Sequence, residues 1–310
     1  MSSNILSRRA AITLFTAAAT QAALPKHLLA EIDPDWTTPL PPFQIAQNLY
    51  YVGSRDLASF FITTPQGNIL LNSNLVTSPP QIRAAIEKLG FHYRDTKILL
   101  VSHAHYDHCA GSAQIKRETG AKYMVMDADV PETEAGGHGN FRYADQKDML
   151  YPAAKVDRIL HDGDKIELGG IALTAHKTAG HTKGCTTYTM KTHGLGPGAN
   201  KESDVVFVGS PNVNPGYNLI NDPKYPHMAQ DFTNTFITLK SLPCDIFLGA
   251  HGGYFDMLNK LAKQKSGAQN VFIDPAGYKA YIADRQQAFE SELTRQRSIP
   301  KSNPTAVKKS

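Results

Sequence analysis

Hydrophobic and polar positions along the chain fall into two rhythms. NLYYVG (48–53) and ASFFITTPQGNILLNS (58–73) are rich in aromatic and β-branched residues bounded by turn formers, and Pro65-Gln66-Gly67 splits the second run into a hairpin. SPPQIRAAIEKLG (78–90) spaces its apolar residues at helical intervals, with prolines at its start and Gly90 at its end. TKILLVS (96–102) and AKYMVMD (121–127) are continuous apolar runs, as expected for strands covered on both faces. Between them SAQIKRETG (112–120) reads as a helix stopped by Gly120. Residues 131–155, with Gly136, Gly137 and Gly139 close together, read as a mobile surface loop.

The second half repeats the order. RILHDGDKIELGGIALTAHKT (158–178) reads as strands joined by Asp-Gly and Gly-Gly turns. TTYTMKT (186–192) and DVVFVGS (204–210) are further strands, HMAQDFTNTFITLKSL (227–242) is a helix, and CDIFLGAH (244–251) is a strand. A long helix begins after Pro275. Strands then helix, twice over, predict an α/β fold: a four-layer αβ/βα sandwich in a single domain spanning residues 33–295. No proline- or serine-rich linker interrupts residues 42–295, and the polar residues 296–310 are expected to be a disordered tail.

The first residues carry a different signal. Arg8 and Arg9 precede a short apolar, small-residue stretch from Ala10 to Ala19, with candidate cleavage sites near Ala19 and Ala22. That is the layout of a secretory signal over residues 1–22, and a periplasmic or secreted protein is expected. SRRAAI also resembles, weakly, a twin-arginine signal. No other run is apolar and long enough to span a membrane. The formal charge of +4 is modest, and no basic run is interleaved with aromatics, which argues against a nucleic-acid partner. The three cysteines, Cys109, Cys185 and Cys244, lack the spacing of a CxxC zinc site.

Chemistry concentrates in VSHAHYDHCAG (101–111), where His103, His105, Asp107 and His108 fall within six positions directly after a buried strand. Neutral imidazole nitrogens and ionised carboxylates are zinc ligands. His103 and His105 alternate and can face one side, while Asp107 and His108 follow the turn and can address a second centre. One loop cannot enclose two metals, so other segments must contribute. His181 in TAGHTKGCTTY and His251 in FLGAHGGYF, both at strand ends, are the candidates. His27, His92, His161, His176, His193 and His227 are isolated and read as surface or structural residues, and His138 is a candidate only to flank a pocket. A serine nucleophile of the Ser-x-x-Lys type has one match, Ser298 to Lys301, and Pro300 argues against the helix it needs.

HAHYDH, then GHT, then a strand-terminal GAH, resembles the metallo-β-lactamase superfamily. PPFQIAQNLYYVG, LHDGDKIELGG, GHTKGCTTYTM, VNPGYNLI and LPCDIFLGAHGGYFDM look like segments of its subclass B3. Ser210 stands after DVVFVG, where lactonase- and glyoxalase-type members carry a bridging aspartate and other β-lactamase subclasses a cysteine. The resemblance implies the metallo-β-lactamase fold and two zinc ions per chain. His103, His105 and His181 would hold the first, and Asp107, His108 and His251 the second. It implies hydrolysis of the amide of penicillins, cephalosporins or carbapenems by a zinc-activated hydroxide, with no acyl-enzyme. Asp107 would also align the hydroxide, Ser210 and Asn214 would bind the substrate carboxylate, and Tyr217 would bind substrate and donate to the developing oxyanion. Trp36 and the loop from Gly136 to Phe141 are candidates to cover the groove. A monomer acting on a small molecule is expected. The alternatives are a lactonase or other zinc hydrolase on the same fold, and a zinc-binding protein without catalysis. Asn72 stands where many members have aspartate. Cys109 either pairs with Cys185 or is a buried thiol, the preferred reading, and Cys244 is expected to be free.

Overall fold

The computed structural model describes residues 33–195 and 200–299, so the expected export signal and residues 300–310 of the expected tail lie outside it. Period-two alternation sorts side chains to opposite faces of the strands. In the central strands Phe60, Ile62, Ile69, Leu71, Ile98 and Leu100 face one core, while their neighbours Phe61, Leu70 and Leu99 face another. That double burial is why these runs read as continuously apolar.

The strands build two sheets. The first runs β1 (Phe43–Ala46), β2 (Leu49–Tyr51), β3 (Phe60–Thr64), β4 (Gly67–Leu71), β5 (Thr96–Leu100), β6 (Lys122–Met126) and β7 (Arg158–Leu160) in sequence order. It is antiparallel from β1 to β4 and parallel from β4 to β7. The second comprises β8 (Lys165–Leu168), β9 (Ile171–Lys177), β10 (Thr186–His193), β11 (Glu202–Val208) and β12 (Ile246–Gly249), antiparallel except for the final parallel pair. Phe60 of the first sheet meets Phe207 of the second with ring centroids 5.1 Å apart. Each half is therefore a meander followed by parallel strands, the echo expected from the order of elements.

The α-helices among the described residues are α1 (Pro34–Thr37), α2 (Pro79–Lys88), α3 (Tyr106–Cys109), α4 (Ser112–Thr119), α5 (Val130–Glu134), α6 (Met228–Ser241), α7 (Met257–Lys265) and α8 (Pro275–Ser298), with short 3-10 turns between some of them. Ile82, Ala85 and Ile86 of α2 and Ile115 of α4 cover the outer face of the first sheet. On the second sheet, Tyr278 of α8 packs against Phe247 at 5.4 Å, and Phe232 of α6 stacks on Phe289 of α8 at 5.2 Å. The result is the four-layer αβ/βα sandwich.

Three local expectations change. The Asp162-Gly163 turn is not a hairpin: β7 and β8 lie in different sheets, and the chain crosses between them there. α7 is a short helix with three lysines, an asparagine and a glutamine in nine positions, and it escaped the sequence reading. The tail boundary at residue 296 also moves, because α8 continues to Ser298. The Gln296 side chain accepts from Leu219 N at 2.8 Å and donates to the Tyr217 carbonyl at 2.7 Å. All three cysteines are free, with Cys109 and Cys185 buried.

Candidate metal centre

Parallel strands β4, β5 and β6, with β11 and β12 of the other sheet, direct their C-terminal ends to one edge, where α/β proteins form crevices. The loop after β5 is held there by Asn72. Its side-chain oxygen accepts from Ser102 N at 2.8 Å, and its amide donates to the Ala58 carbonyl at 3.2 Å. Asn72 and Asn74 have φ of 68° and 54°, a region that asparagine enters more easily than most residues. The Ser73 and Asn74 amides then donate to the His108 carbonyl at 3.0 and 3.1 Å, which fixes the short helix α3. Asn72, where an aspartate was the common alternative, thus supports the ligand loop from behind.

All six residues singled out by the sequence converge. One donor atom from each of His103, His105 and His181 lies within 4.8 Å of the others. Asp107 Oδ2 lies 3.2 Å from His108 Nε2 and 3.6 Å from His251 Nε2, and those two nitrogens are 3.2 Å apart. One donor atom from each of His103, Asp107 and His108 also lies within 4.8 Å of the others, so His103 stands where the two triads adjoin.

The surroundings prepare the imidazoles for a cation. His181 Nδ1 is paired with the Asn212 carbonyl at 2.8 Å and His251 Nδ1 with Asp56 Oδ2 at 2.8 Å, leaving both Nε2 atoms for the centre. His103 Nε2 is buried with no hydrogen-bond partner, a costly state that a metal ion relieves. Burial holds His103 and His181 well below the usual imidazole range and brings His105 to about 4. Burial likewise lowers His108. For Asp107, burial opposes ionisation, but His108 and His251 outweigh it and keep the carboxylate charged. Burial also lowers His251, yet Asp107 and Asp56 override it and raise it to about 9 in the absence of a cation. Neutral nitrogens on His103, His105, His108 and His181, an ionised carboxylate and an orphaned Nε2 fit zinc, which would displace the proton that His251 otherwise holds.

A cavity of about 420 Å³ opens over this cluster, with Trp36, Tyr106, Tyr143, Asn214 and Tyr254 on its wall. Asn214 is on the wall, and its amide donates to the Tyr143 hydroxyl at 3.1 Å. Ser210 and Tyr217 are not on the wall. Ser210 is 2% exposed, with its hydroxyl 3.3 Å from that of Tyr254, which covers it. Tyr217 is equally buried. Its hydroxyl, expected to face an oxyanion, donates to the His181 carbonyl at 2.7 Å and lies 3.5 Å from His105 Nε2. The loop from Gly136 is packed instead of free on the surface, because Phe141 buries its ring 5.0 Å from Tyr217 and 5.1 Å from Tyr225. His138 itself is not on the wall, whereas Gly137 and Asn140 are.

Sequence reasoning missed Asp56, Asn212, Tyr254 and Asp129. Asp56 accepts from His251, from Trp36 Nε1 at 3.2 Å and from Gly253 N at 3.0 Å. The Asn212 amide donates to the Tyr254 hydroxyl at 2.8 Å. Asp129 is 1% exposed and bonded to both ligand loops. Nothing in their local sequence distinguishes these residues from ordinary loop polar residues. The GGYF after His251 was the one available hint for Tyr254.

Comparison with known proteins places this centre. The metallo-β-lactamase superfamily profile matches residues 58–195. The FEZ-1 metallo-β-lactamase of Legionella gormanii is 50% identical, superposes with a TM-score of 0.82, and matches over 84% of this chain and 98% of its own. BJP-1, a subclass B3 metallo-β-lactamase of Bradyrhizobium japonicum, is 36% identical over 86% of this chain and 98% of its own, with a TM-score of 0.78. Among curated sequences, a metal-dependent hydrolase of Anaeromyxobacter dehalogenans is 28% identical, and the match spans 66% of this chain but only 65% of that protein. The chain belongs to the metallo-β-lactamase superfamily, a group of metal-dependent hydrolases. Within it, the likeness along nearly the whole length of the solved structures is to subclass B3 enzymes.

Proposed function

We propose that the protein is an exported, zinc-dependent β-lactamase that binds two zinc ions and opens the lactam amide of penicillins, cephalosporins or carbapenems. The observation that carries this reading is the near-full-length match to subclass B3 enzymes, together with six convergent side chains, four of which line the cavity. His103, His105 and His181 would hold one ion, and Asp107, His108 and His251 the other. Zinc in such sites acts as a Lewis acid for a carbonyl oxygen and lowers the pKa of water toward neutrality.

The chain's own residues do the rest. Asp107 is ionised and on the cavity wall, so it is the group placed to accept a proton from the attacking water and to align it. Among the described residues no lysine or arginine lines the cavity. The substrate carboxylate is therefore met by neutral donors, Asn214, Asn212 and the Tyr254 hydroxyl, in place of the buried Ser210. Trp36, Tyr106 and Tyr143 supply an apolar wall that excludes water from the reacting amide. Tyr217 positions His181 through its main chain and does not contact the reacting atoms. The basic-then-apolar start of the chain supports export, and no helix among the described residues is long and apolar enough to cross a membrane.

The test is imipenem hydrolysis by metal-stripped protein titrated with zinc, beside an acyl-homoserine lactone. Zinc-restored imipenem turnover is expected. Lactone opening without lactam turnover would overturn the substrate assignment and favour a lactonase.

A further inference from the structure

The first triad is split between halves of the sandwich. His103 and His105 follow β5 of one sheet, and His181 follows β9 of the other. Something must set the distance between the two loops before any metal arrives. Asp129, just beyond β6, lies between them. Its Oδ2 accepts from Ala104 N at 3.0 Å, from the residue flanked by His103 and His105. The same oxygen accepts from Thr182 Oγ1 at 2.7 Å, next to His181, and Oδ1 accepts from Gly184 N at 2.7 Å. The Ala104 peptide is held at its other end too, because the Tyr151 hydroxyl donates to its carbonyl at 2.7 Å.

Space around the carboxylate is tight. A Cβ on Gly184 would come within 2.5 Å of Asp129 N and 2.8 Å of its side chain, so the GHT loop is built to close onto this residue. Both oxygens are used only as acceptors, which asparagine cannot reproduce, since its NH2 would face a donor on one side or the other. A buried carboxylate with three donors is a strong and directional tie.

We propose that Asp129 is a positioning residue for the first metal site: it clasps the loop of His103 and His105 to the loop of His181 and so sets that site's affinity for zinc. Groups that orient metal ligands from behind typically contribute about 10- to 100-fold in affinity. Asp129 does so through two main-chain amides and the Thr182 hydroxyl instead of through a ligand's own ring. The inference rests on the first triad holding zinc.

The experiment uses the full chain carrying His251→Ala, which removes a ligand of the second triad and leaves the first. Zinc affinity is measured by competition with a chromophoric chelator, with the unfolding midpoint of the metal-free form measured in parallel. One tight zinc per chain is expected, and Asp129→Asn in this background is expected to weaken it at least tenfold. Thr182→Val, which removes a single donor and keeps the carboxylate, is expected to weaken it less. An Asp129→Asn chain that stays folded and binds zinc within twofold of its parent would overturn the inference, even if its unfolding midpoint had dropped, because the role would then be structural alone. Should Asp129→Asn not fold, an unchanged affinity in Thr182→Val would overturn it. Absence of zinc binding in the His251→Ala parent would instead overturn the reading of the first triad, and this inference with it.

Discussion

Gly180, immediately before His181, offers a sharp perturbation of the metal centre that leaves every ligand in place. Its φ is +133°, a region that residues with a side chain rarely adopt. A Cβ there would lie 2.7 to 2.8 Å from three ring carbons of Phe232. That ring cannot retreat, being fully buried and stacked on Phe289 at 5.2 Å. Gly180→Ala therefore incurs backbone strain of about 1–3 kcal/mol and overpacking of about 1–3 kcal/mol. Relief requires the loop to shift, and His181 shifts with it. The expected loss is about 2–6 kcal/mol in urea unfolding of the metal-free protein, with about half the zinc lost on dialysis as the first triad opens. A loss under about 0.5 kcal/mol with full zinc retention would show that the loop tolerates the side chain, and would refute the claim that the backbone at Gly180 sets His181.

Two further perturbations separate supporting residues from ligands. Asp56→Asn, which weakens the support of His251, is expected to lower affinity at the second triad by about 10- to 100-fold and spare the first. Because Trp36 is the sole tryptophan and its indole donates to Asp56, its emission should respond to zinc in the native chain and lose that response in the variant. Tyr217→Phe leaves the His181 carbonyl short of a donor and is expected to cost about 1–3 kcal/mol of stability. Any loss of turnover should track zinc content and recover with excess zinc. An oxyanion donor would instead lose about 10²- to 10³-fold in kcat that zinc does not restore.

The cluster was legible because metal chemistry asks for particular residue types at strand ends, and few other reasons place three histidines and an aspartate within six positions. The layers were legible because alternation and continuous apolar runs reflect burial on one face or two. What escaped was mostly direction. Ser210 follows a strand as expected, but its side chain turns under Tyr254, and the residue reaching the wall is Asn212, two positions on. Tyr217 was close in sequence to the right loop, yet Phe141 packs against its ring and its hydroxyl turns to the His181 carbonyl. Asp56 and Asp129 act across 195 and more than 50 residues of chain respectively, a relation that local pattern does not carry. The crossing at Asp162-Gly163 was hidden because a turn that changes sheets has the same composition as one that closes a hairpin.

The account rests on two adjacent metal sites that share one cavity floor, so the most direct measurement is anomalous diffraction at the zinc edge from crystals of the zinc-loaded protein. Two peaks are expected, roughly 3.5–4 Å apart. One should be bounded by His103, His105 and His181, and the other by Asp107, His108 and His251. A single peak, or one bounded by His103, Asp107 and His108 with His251 unliganded, would contradict the account.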